Sequence, residues 1–73
     1  MKFRFTEHAK YRLFVERKIS AEAIKAVIQN PDSRKSLPGG LVKCVKNISK
    51  SELVVVFSKD KNVYVIITAY FKD

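Results

Sequence analysis

Two side chains near the start of the chain have the types and spacing for acid–base chemistry on a phosphodiester. His8 and Arg12 are four residues apart, so on a helix they lie one turn apart on one face. The cation favours a neutral imidazole, which can accept a proton from a ribose 2′-hydroxyl, while Arg12 holds the phosphate. The alternative is structural: His8 hydrogen-bonds near the helix start and Arg12 pairs with Glu16. The residues alone favour this alternative, because lone histidines are more often structural than catalytic.

A second set of candidates combines rings and hydroxyls on one predicted strand. Tyr64, Thr68 and Tyr70 alternate along that strand, so their rings can stack on bases and their hydroxyls can donate to phosphate. Ordinary cross-strand pairing explains them equally well, because Tyr and Thr favour strands in any case.

Two basic residues complete the candidates. Arg17, with Lys18, ends the first predicted helix, where a cation is either solvated or in contact with phosphate. Lys46 shares a mainly apolar strand face with Cys44 and Ile48. Its ammonium group therefore either snorkels to the edge of the sheet or points into a cleft. Cys44 itself is expected to be a small core residue.

Composition limits the kinds of site that these residues can form. The 73 residues carry 15 Lys and Arg against 7 Asp and Glu, a formal net charge of +8, and 47% of them are apolar. We expect one folded domain over residues 1–73 whose basic surface attracts polyanions, although solubility is the plainer reason for such a charge. A single cysteine and a single histidine are too few for an ordinary metal site. With no glycine-rich phosphate loop either, we expect no cofactor.

Nothing in the sequence resembles a membrane segment. The longest apolar run is Leu53–Phe57, far short of the roughly 20 residues that span a bilayer. The first five residues alternate charge with ring, unlike a signal peptide. We therefore expect a cytoplasmic protein with no membrane partner.

Two helices must position the first candidates. Thr6 is a good N-cap for a helix that runs through about Lys18, and Ser20 is the N-cap of a second helix. Pro31 ends the second helix, because it pushes Asn30 out of helical geometry. The short join predicts a helix hairpin.

The second predicted helix has a single apolar stripe at helical spacing. We expect this stripe to pack against the sheet through Val65 and Ile67. The stripe consists of Ala23, Ile24, Val27 and Ile28.

Strand periodicity replaces helix periodicity after Pro31. Phe3 and Phe5 already predict a short first strand, and strands are predicted over Leu41–Ile48, around Leu53–Phe57 and over Val63–Phe71, with Ser33–Leu37 as a weak edge strand. Uninterrupted alternation in the last strand divides it into a core face and a polar-tipped face. The core face takes Val63, Val65, Ile67, Ala69 and Phe71, and the other takes Tyr64, Ile66, Thr68 and Tyr70.

The expected fold class is therefore α+β. A helix hairpin packs on one face of a twisted antiparallel sheet, in the order β-α-α-β-β-β, with room for one extra short strand. Because the turns are short, the strands are expected to pair as antiparallel hairpins.

Several stretches of the chain carry a family resemblance: Phe5–Ala9, Arg12-Leu13, Glu16–Ser20, Asn30–Asp32, Leu53–Val56 and Val65–Tyr70. Together they resemble a small prokaryotic domain family of uncharacterised function that is similar to RelE/ParE-type and BrnT-type toxins of toxin–antitoxin modules. The resemblance implies a RelE-like fold, whose element order agrees with the one predicted above. With Asp73 two residues after Phe71, we expect no catalytic residue on a C-terminal tail.

The resemblance also implies a function. It points to a toxin-like endoribonuclease or RNA-binding domain that acts on RNA, usually ribosome-bound messenger RNA, and is neutralised by a small antitoxin protein. Cleavage through the 2′-hydroxyl needs no metal. The RNA target and the oligomeric state do not follow from the sequence. Catalysis is assigned to His8, Arg12 and Tyr70, and RNA binding to Arg17, Lys46, Tyr64 and Thr68.

The alternative function is a non-enzymatic interaction module whose basic surface binds an acidic protein partner. Geometry discriminates between the two. If His8, Arg12 and Tyr70 meet in one concave basic patch, the endoribonuclease is favoured; if they lie on different faces, the interaction module is favoured.

Overall fold

The computed structural model describes residues 2–72; Met1 and Asp73, the ends of the predicted domain, lie outside the described residues. Two helices lie on one side of a five-stranded mixed sheet, which confirms the α+β class. The first helix is α1 continued without a break by a π-helix. The elements are β1 (Lys2–Phe5), α1 (Glu7–Lys10), the π-helix (Tyr11–Glu16), α2 (Ala21–Gln29), β2 (Ser33–Leu37), β3 (Leu41–Ile48), β4 (Ser51–Asp60) and β5 (Val63–Lys72).

The two predicted N-caps begin the helices. Thr6 Oγ1 accepts a hydrogen bond from the Ala9 amide at 3.1 Å, and Ser20 Oγ accepts one from the Ala23 amide at 3.1 Å. Each cap satisfies a backbone N–H that has no partner within the helix. The first helix ends at Glu16, two residues earlier than predicted, and Lys18 has a left-handed φ of 53°.

The second part of the first helix has the wide turns of a π-helix. The Arg17 amide donates to the Arg12 carbonyl, five residues back, at 2.9 Å. In this geometry Leu13 is fully buried and Phe14 is half-buried, whereas Tyr11 and Val15 are exposed. Leu13 and Phe14 therefore pack into the core, and Tyr11 and Val15 face outward.

The sheet order is β1-β5-β4-β3-β2. The strands from β2 to β5 form the predicted antiparallel meander, and β2 is the extra edge strand. The prediction of a wholly antiparallel sheet is wrong, because β1 pairs in parallel with β5. The chain leaves β1 through both helices before the meander, and such a long connection lets β1 lie beside β5 in the same direction.

A β-bulge in β5 overturns the predicted faces of its first half. Val56 pairs with Thr68 and Phe57 pairs with Ile66, so Ile67 is an extra residue without a partner on β4. Ile66 is fully buried on the helix side, whereas Ile67 is 45% exposed. An extra residue exchanges the two faces of a strand, so Tyr64 lies on the helix side and Val63 and Val65 on the other.

The apolar stripe of α2 is buried as predicted, but it does not pack through Val65 and Ile67. Ile24, Val27 and Ile28 lie in the core, and α2 packs over β3 and β4. These two strands lie in the middle of the sheet, so α2 covers its centre. The core residues from the sheet are Cys44, Leu53, Val55, Phe57, Ile66 and Ala69.

The sheet has a second face that no helix covers, which we call the open face. Strand alternation places Val54 there, between Val45 and Tyr70 on the neighbouring strands. Val54 is 1% exposed even without a helix above it. Over residues 2–72, no helix is long and apolar enough to cross a bilayer.

Candidate functional site

His8 and Arg12 lie together on the outer surface of the first helix. Ala9 and Leu13 turn inward and are buried, which leaves the side chains of His8 and Arg12 exposed. Arg12 Nε lies 3.9 Å from Glu16 Oε1, as the structural alternative predicts, and both side chains are about half exposed. The pair is therefore accessible to a ligand, but a carboxylate already lies near the Arg12 guanidinium.

Tyr70 lies on the other side of the sheet from His8 and Arg12. It is paired with Val54, while its neighbour Ala69 is paired with Val55 in the core under the helices. Successive side chains of a strand point to opposite faces, so Tyr70 belongs to the open face, where it is 37% exposed. The three residues assigned to catalysis are thus not brought into one patch.

Arg17 and Thr68 are brought into contact. The Arg17 guanidinium donates to Thr68 Oγ1 at 3.2 Å and to the Ala69 carbonyl oxygen at 2.8 Å. These bonds join the end of the first helix to β5. The sequence predicts that Arg17 is either solvated or in contact with phosphate; in the structure it also has this structural role.

Lys46 snorkels, which is one of the two arrangements that its apolar strand face predicts. Its Nζ donates to the Asn30 carbonyl oxygen at 3.0 Å. Asn30 is the C-cap of α2, and a cation there satisfies a carbonyl that has no helical partner and complements the helix dipole. The position of Lys46 is explained by helix capping.

Tyr64 is separated from Thr68 and Tyr70 by the bulge. It lies on the helix side with its ring centroid 5.4 Å from that of Phe3, stacked, and 5.4 Å from that of Phe57, edge-on. Lys59 Nζ lies 5.6 Å from the centre of the Tyr64 ring. The predicted aromatic set on one sheet face is therefore wrong for Tyr64.

The open face carries a group of cations that the sequence reasoning missed. Strand alternation places five basic residues there, against the carboxylates of Glu52 and Asp60. The two ion pairs formed within residues 2–72 include none of the five. Their signal in the sequence is a basic residue directly beside one of the opposite face, as at Lys43 beside Cys44. The five are Lys2, Arg4, Lys35, Lys43 and Lys72.

Together with Tyr70, these five cations form what we call the basic face. The strands lie about 4.8 Å apart, so the cations extend over about 19 Å from β1 to β2. Valines occupy the middle of this surface, and Lys35 and Lys43 are directly opposite each other on β2 and β3. Such like-charged neighbours repel each other unless an anion lies between them.

Comparison with known proteins assigns the chain to a family. Residues 5–71 match the model of a domain of unknown function, DUF4258. The chain belongs to this family. No curated protein and no solved structure matches it. The family description assigns no activity to a DUF4258 domain and does not connect it with RelE/ParE-type or BrnT-type toxins.

This DUF4258 domain has no cluster of three or more His, Cys, Asp or Glu side chains within residues 2–72 that could hold a metal ion, and no pocket was found in that part of the chain. Cys44 is buried, and desolvation raises the pKa of its thiol while Arg34 acts in the opposite direction. A buried thiol with a raised pKa is a poor nucleophile, so Cys44 is a core residue as predicted.

Proposed function

We propose that this DUF4258 domain binds RNA through its basic face. The observation that carries the proposal is the group of five cations on the same sheet face as the exposed ring of Tyr70, none of which is in an ion pair within residues 2–72. Cations neutralise phosphates and release their counterions, which supplies affinity without sequence specificity. Tyr70 adds a ring on which an unpaired base can stack, and this favours single-stranded over double-stranded RNA.

A more specific form of this proposal is that the domain is a toxin that cleaves the RNA it binds. It rests on the resemblance of the chain to the RelE/ParE-type and BrnT-type toxins, and it includes a RelE-like topology, an antitoxin partner and action in the cytoplasm. Since Tyr70 lies across the sheet from His8 and Arg12, an RNA held on the basic face does not place one phosphodiester between all three. In a cleaving domain, His8 and Arg12 on the first helix would act without Tyr70.

RNA binding is tested by pairs of variants with equal charge. The affinity for a labelled single-stranded RNA is measured across a range of salt concentrations. Each lost phosphate contact lowers the slope of log affinity against log salt by about 0.7, so Lys35→Gln with Lys43→Gln should lower it by about 1.4. The control, Lys10→Gln with Lys25→Gln, removes the same charge from the helix side and should change it less. Equal effects of both pairs, or an affinity independent of salt, would contradict the proposal.

Base stacking is tested separately at Tyr70. Loss of one stacked base costs about 1–3 kcal/mol, so Tyr70→Ala should weaken binding at least fivefold. Tyr70→Phe keeps the ring and should bind like the unaltered domain. If the Phe variant loses as much affinity as the Ala variant, the hydroxyl rather than the stacked ring is the contact.

Cleavage is tested by induced expression without any partner, scored for growth arrest and transcript cleavage. If His8 is the base, His8→Gln abolishes cleavage and leaves the melting temperature and RNA affinity nearly unchanged. Arg12→Ala weakens both cleavage and binding. If the unaltered domain cleaves no transcript, the proposal that it is an endoribonuclease is refuted, and the proposal that it binds RNA is judged by its own test.

A further inference from the structure

Half of β5 is an unpaired sheet edge. On the side away from β4, β1 pairs only with Val63–Ile66, so the stretch from Ile67 to Lys72 has no neighbouring strand there. Six extended residues present about 20 Å of edge. The Ala69 carbonyl oxygen accepts a hydrogen bond at 2.8 Å from the Arg17 guanidinium, which lies outside the sheet, and we infer that this carbonyl faces the free edge. Backbone groups alternate between the two sides of an antiparallel strand, so those of Phe71 face the same edge.

The free edge is also the most apolar part of the surface. Within residues 2–72 the large apolar side chains that are exposed all lie on β5 or on the π-helix, which packs against β5. Their exposed fractions run from 37% at Tyr70 to 59% at Tyr11. Exposed apolar residues confined to one strand and the helix packed against it favour an interaction surface there. The five residues are Tyr11, Val15, Ile67, Tyr70 and Phe71.

The opposite edge of the sheet shows how an edge is kept free of partners. β2 exposes Arg34 and Lys35 and carries no exposed large apolar side chain. Charged side chains on a short strand discourage the addition of another strand. The edge of β5 lacks this protection except for Arg17, whose guanidinium bonds to the Ala69 carbonyl.

The positive charge of the domain indicates what kind of partner this edge binds. A second copy of the chain would bring a net charge of +8 against +8, which opposes pairing of two β5 edges. An incoming strand also replaces Arg17 at the Ala69 carbonyl with its own N–H, and the released guanidinium can then bond to a carboxylate. Both effects favour a negatively charged partner.

We propose that the free edge of β5 binds an extended segment of a partner protein in which acidic and apolar residues alternate. The segment adds as a sixth strand beside the stretch from Ile67 to Lys72. Because its side chains alternate between the two faces, its apolar side chains lie on the helix side, against Phe71 and the exposed residues of the π-helix. Its carboxylates lie on the open face, where they meet Lys72 and the Arg17 guanidinium beside Thr68. This site shares Tyr70 and Lys72 with the basic face, but the proposal does not depend on RNA binding.

The test uses a labelled peptide of alternating glutamate and valine, with an alternating lysine and valine peptide as its control. We expect the acidic peptide alone to bind. In the unaltered domain it should shift the backbone amide resonances of Ala69 and Phe71 and slow their exchange with solvent. Absence of binding up to millimolar peptide, equal binding of both peptides, or shifts confined to β2 would overturn the proposal.

A pair of variants isolates the backbone contact. Phe71→Ala keeps the N–H that faces the edge, whereas Phe71→Pro removes it without affecting the bonds to β4. The Pro variant should bind the acidic peptide about tenfold more weakly than the Ala variant, which corresponds to one hydrogen bond. Equal affinities in two folded variants, or a dimer seen by sedimentation at the same concentrations, would refute strand addition by an acidic partner.

Discussion

Replacement of Ile66 or Ile67 by alanine tests the bulge in β5, because the two residues exchange roles according to whether the bulge is present. With the bulge, Ile66 is fully buried among core residues and Ile67 is 45% exposed. With uninterrupted alternation, Ile67 is the core residue and Ile66 lies on the open face. The same chemical change at two adjacent positions therefore discriminates between the two arrangements of the strand.

The expected losses of stability differ severalfold. Truncation of a fully buried isoleucine to alanine costs about 2–5 kcal/mol, from the lost burial and the cavity left behind. Ile67 keeps nearly half of its surface in water, so Ile67→Ala should cost about 1 kcal/mol or less. At about 0.05–0.15 kcal/mol per residue, the free energy of unfolding of the whole domain is about 4–11 kcal/mol. Ile66→Ala thus removes a large part of it.

Urea unfolding followed by circular dichroism measures both losses. With a denaturant slope of about 1 kcal/mol per molar for so small a domain, Ile66→Ala should lower the midpoint by about 2 M or more. Ile67→Ala should lower it by about 1 M or less. Equal shifts, or the larger shift for Ile67→Ala, would refute the bulge and with it the placement of Tyr64 on the helix side.

Four further changes test the core, the helix cap, a turn and the buried thiol. Val27→Asp places an unpaired carboxylate at a fully buried position and should abolish the cooperative melting transition seen by circular dichroism. Lys46→Met removes the bond to the Asn30 carbonyl and should cost about 0.5–1 kcal/mol in urea unfolding. Lys50 has a φ of 73°, so Lys50→Gly should stabilise the turn by about 1 kcal/mol and raise the melting temperature by about 4–8 °C. Burial raises the pKa of the Cys44 thiol, so this thiol loses its proton at a lower pH in the unfolded state than in the folded state. The free energy of unfolding should therefore fall as the pH rises above about 8.5, and Cys44→Ala should remove that part of the pH dependence.

The candidate site was only partly predictable from the sequence. The 3.6-residue period placed His8 and Arg12 on one exposed face, and the Arg12–Glu16 pair also follows from local spacing. The sequence could not show that Tyr70 lies across the sheet, because that depends on which side of β5 the helices cover. It singled out Lys46 because of its apolar strand face and overlooked Lys43, because the alternation along β3 does not show that the opposite face of the sheet is left open.

Local interactions determined what the sequence predicted correctly about the fold. Thr6 and Ser20 begin the helices because each hydroxyl bonds to an amide three residues ahead. The apolar stripe of α2 identifies its buried side, and the short turns of the meander require antiparallel pairing. Each of these features involves residues close together in the chain, so their sequence pattern is sufficient.

Only the tertiary structure decided the features that join distant residues. The pairing of β1 with β5 and the bonds from Arg17 to β5 join parts of the chain that are far apart, and the bulge at Ile67 sets which residues of β5 face the distant helices. Ile66 and Ile67 have identical side chains, so the strand itself does not indicate which of them turns inward. That choice depends on which register best fills the space beneath the helices, and it sets the side chains that each face of the sheet presents.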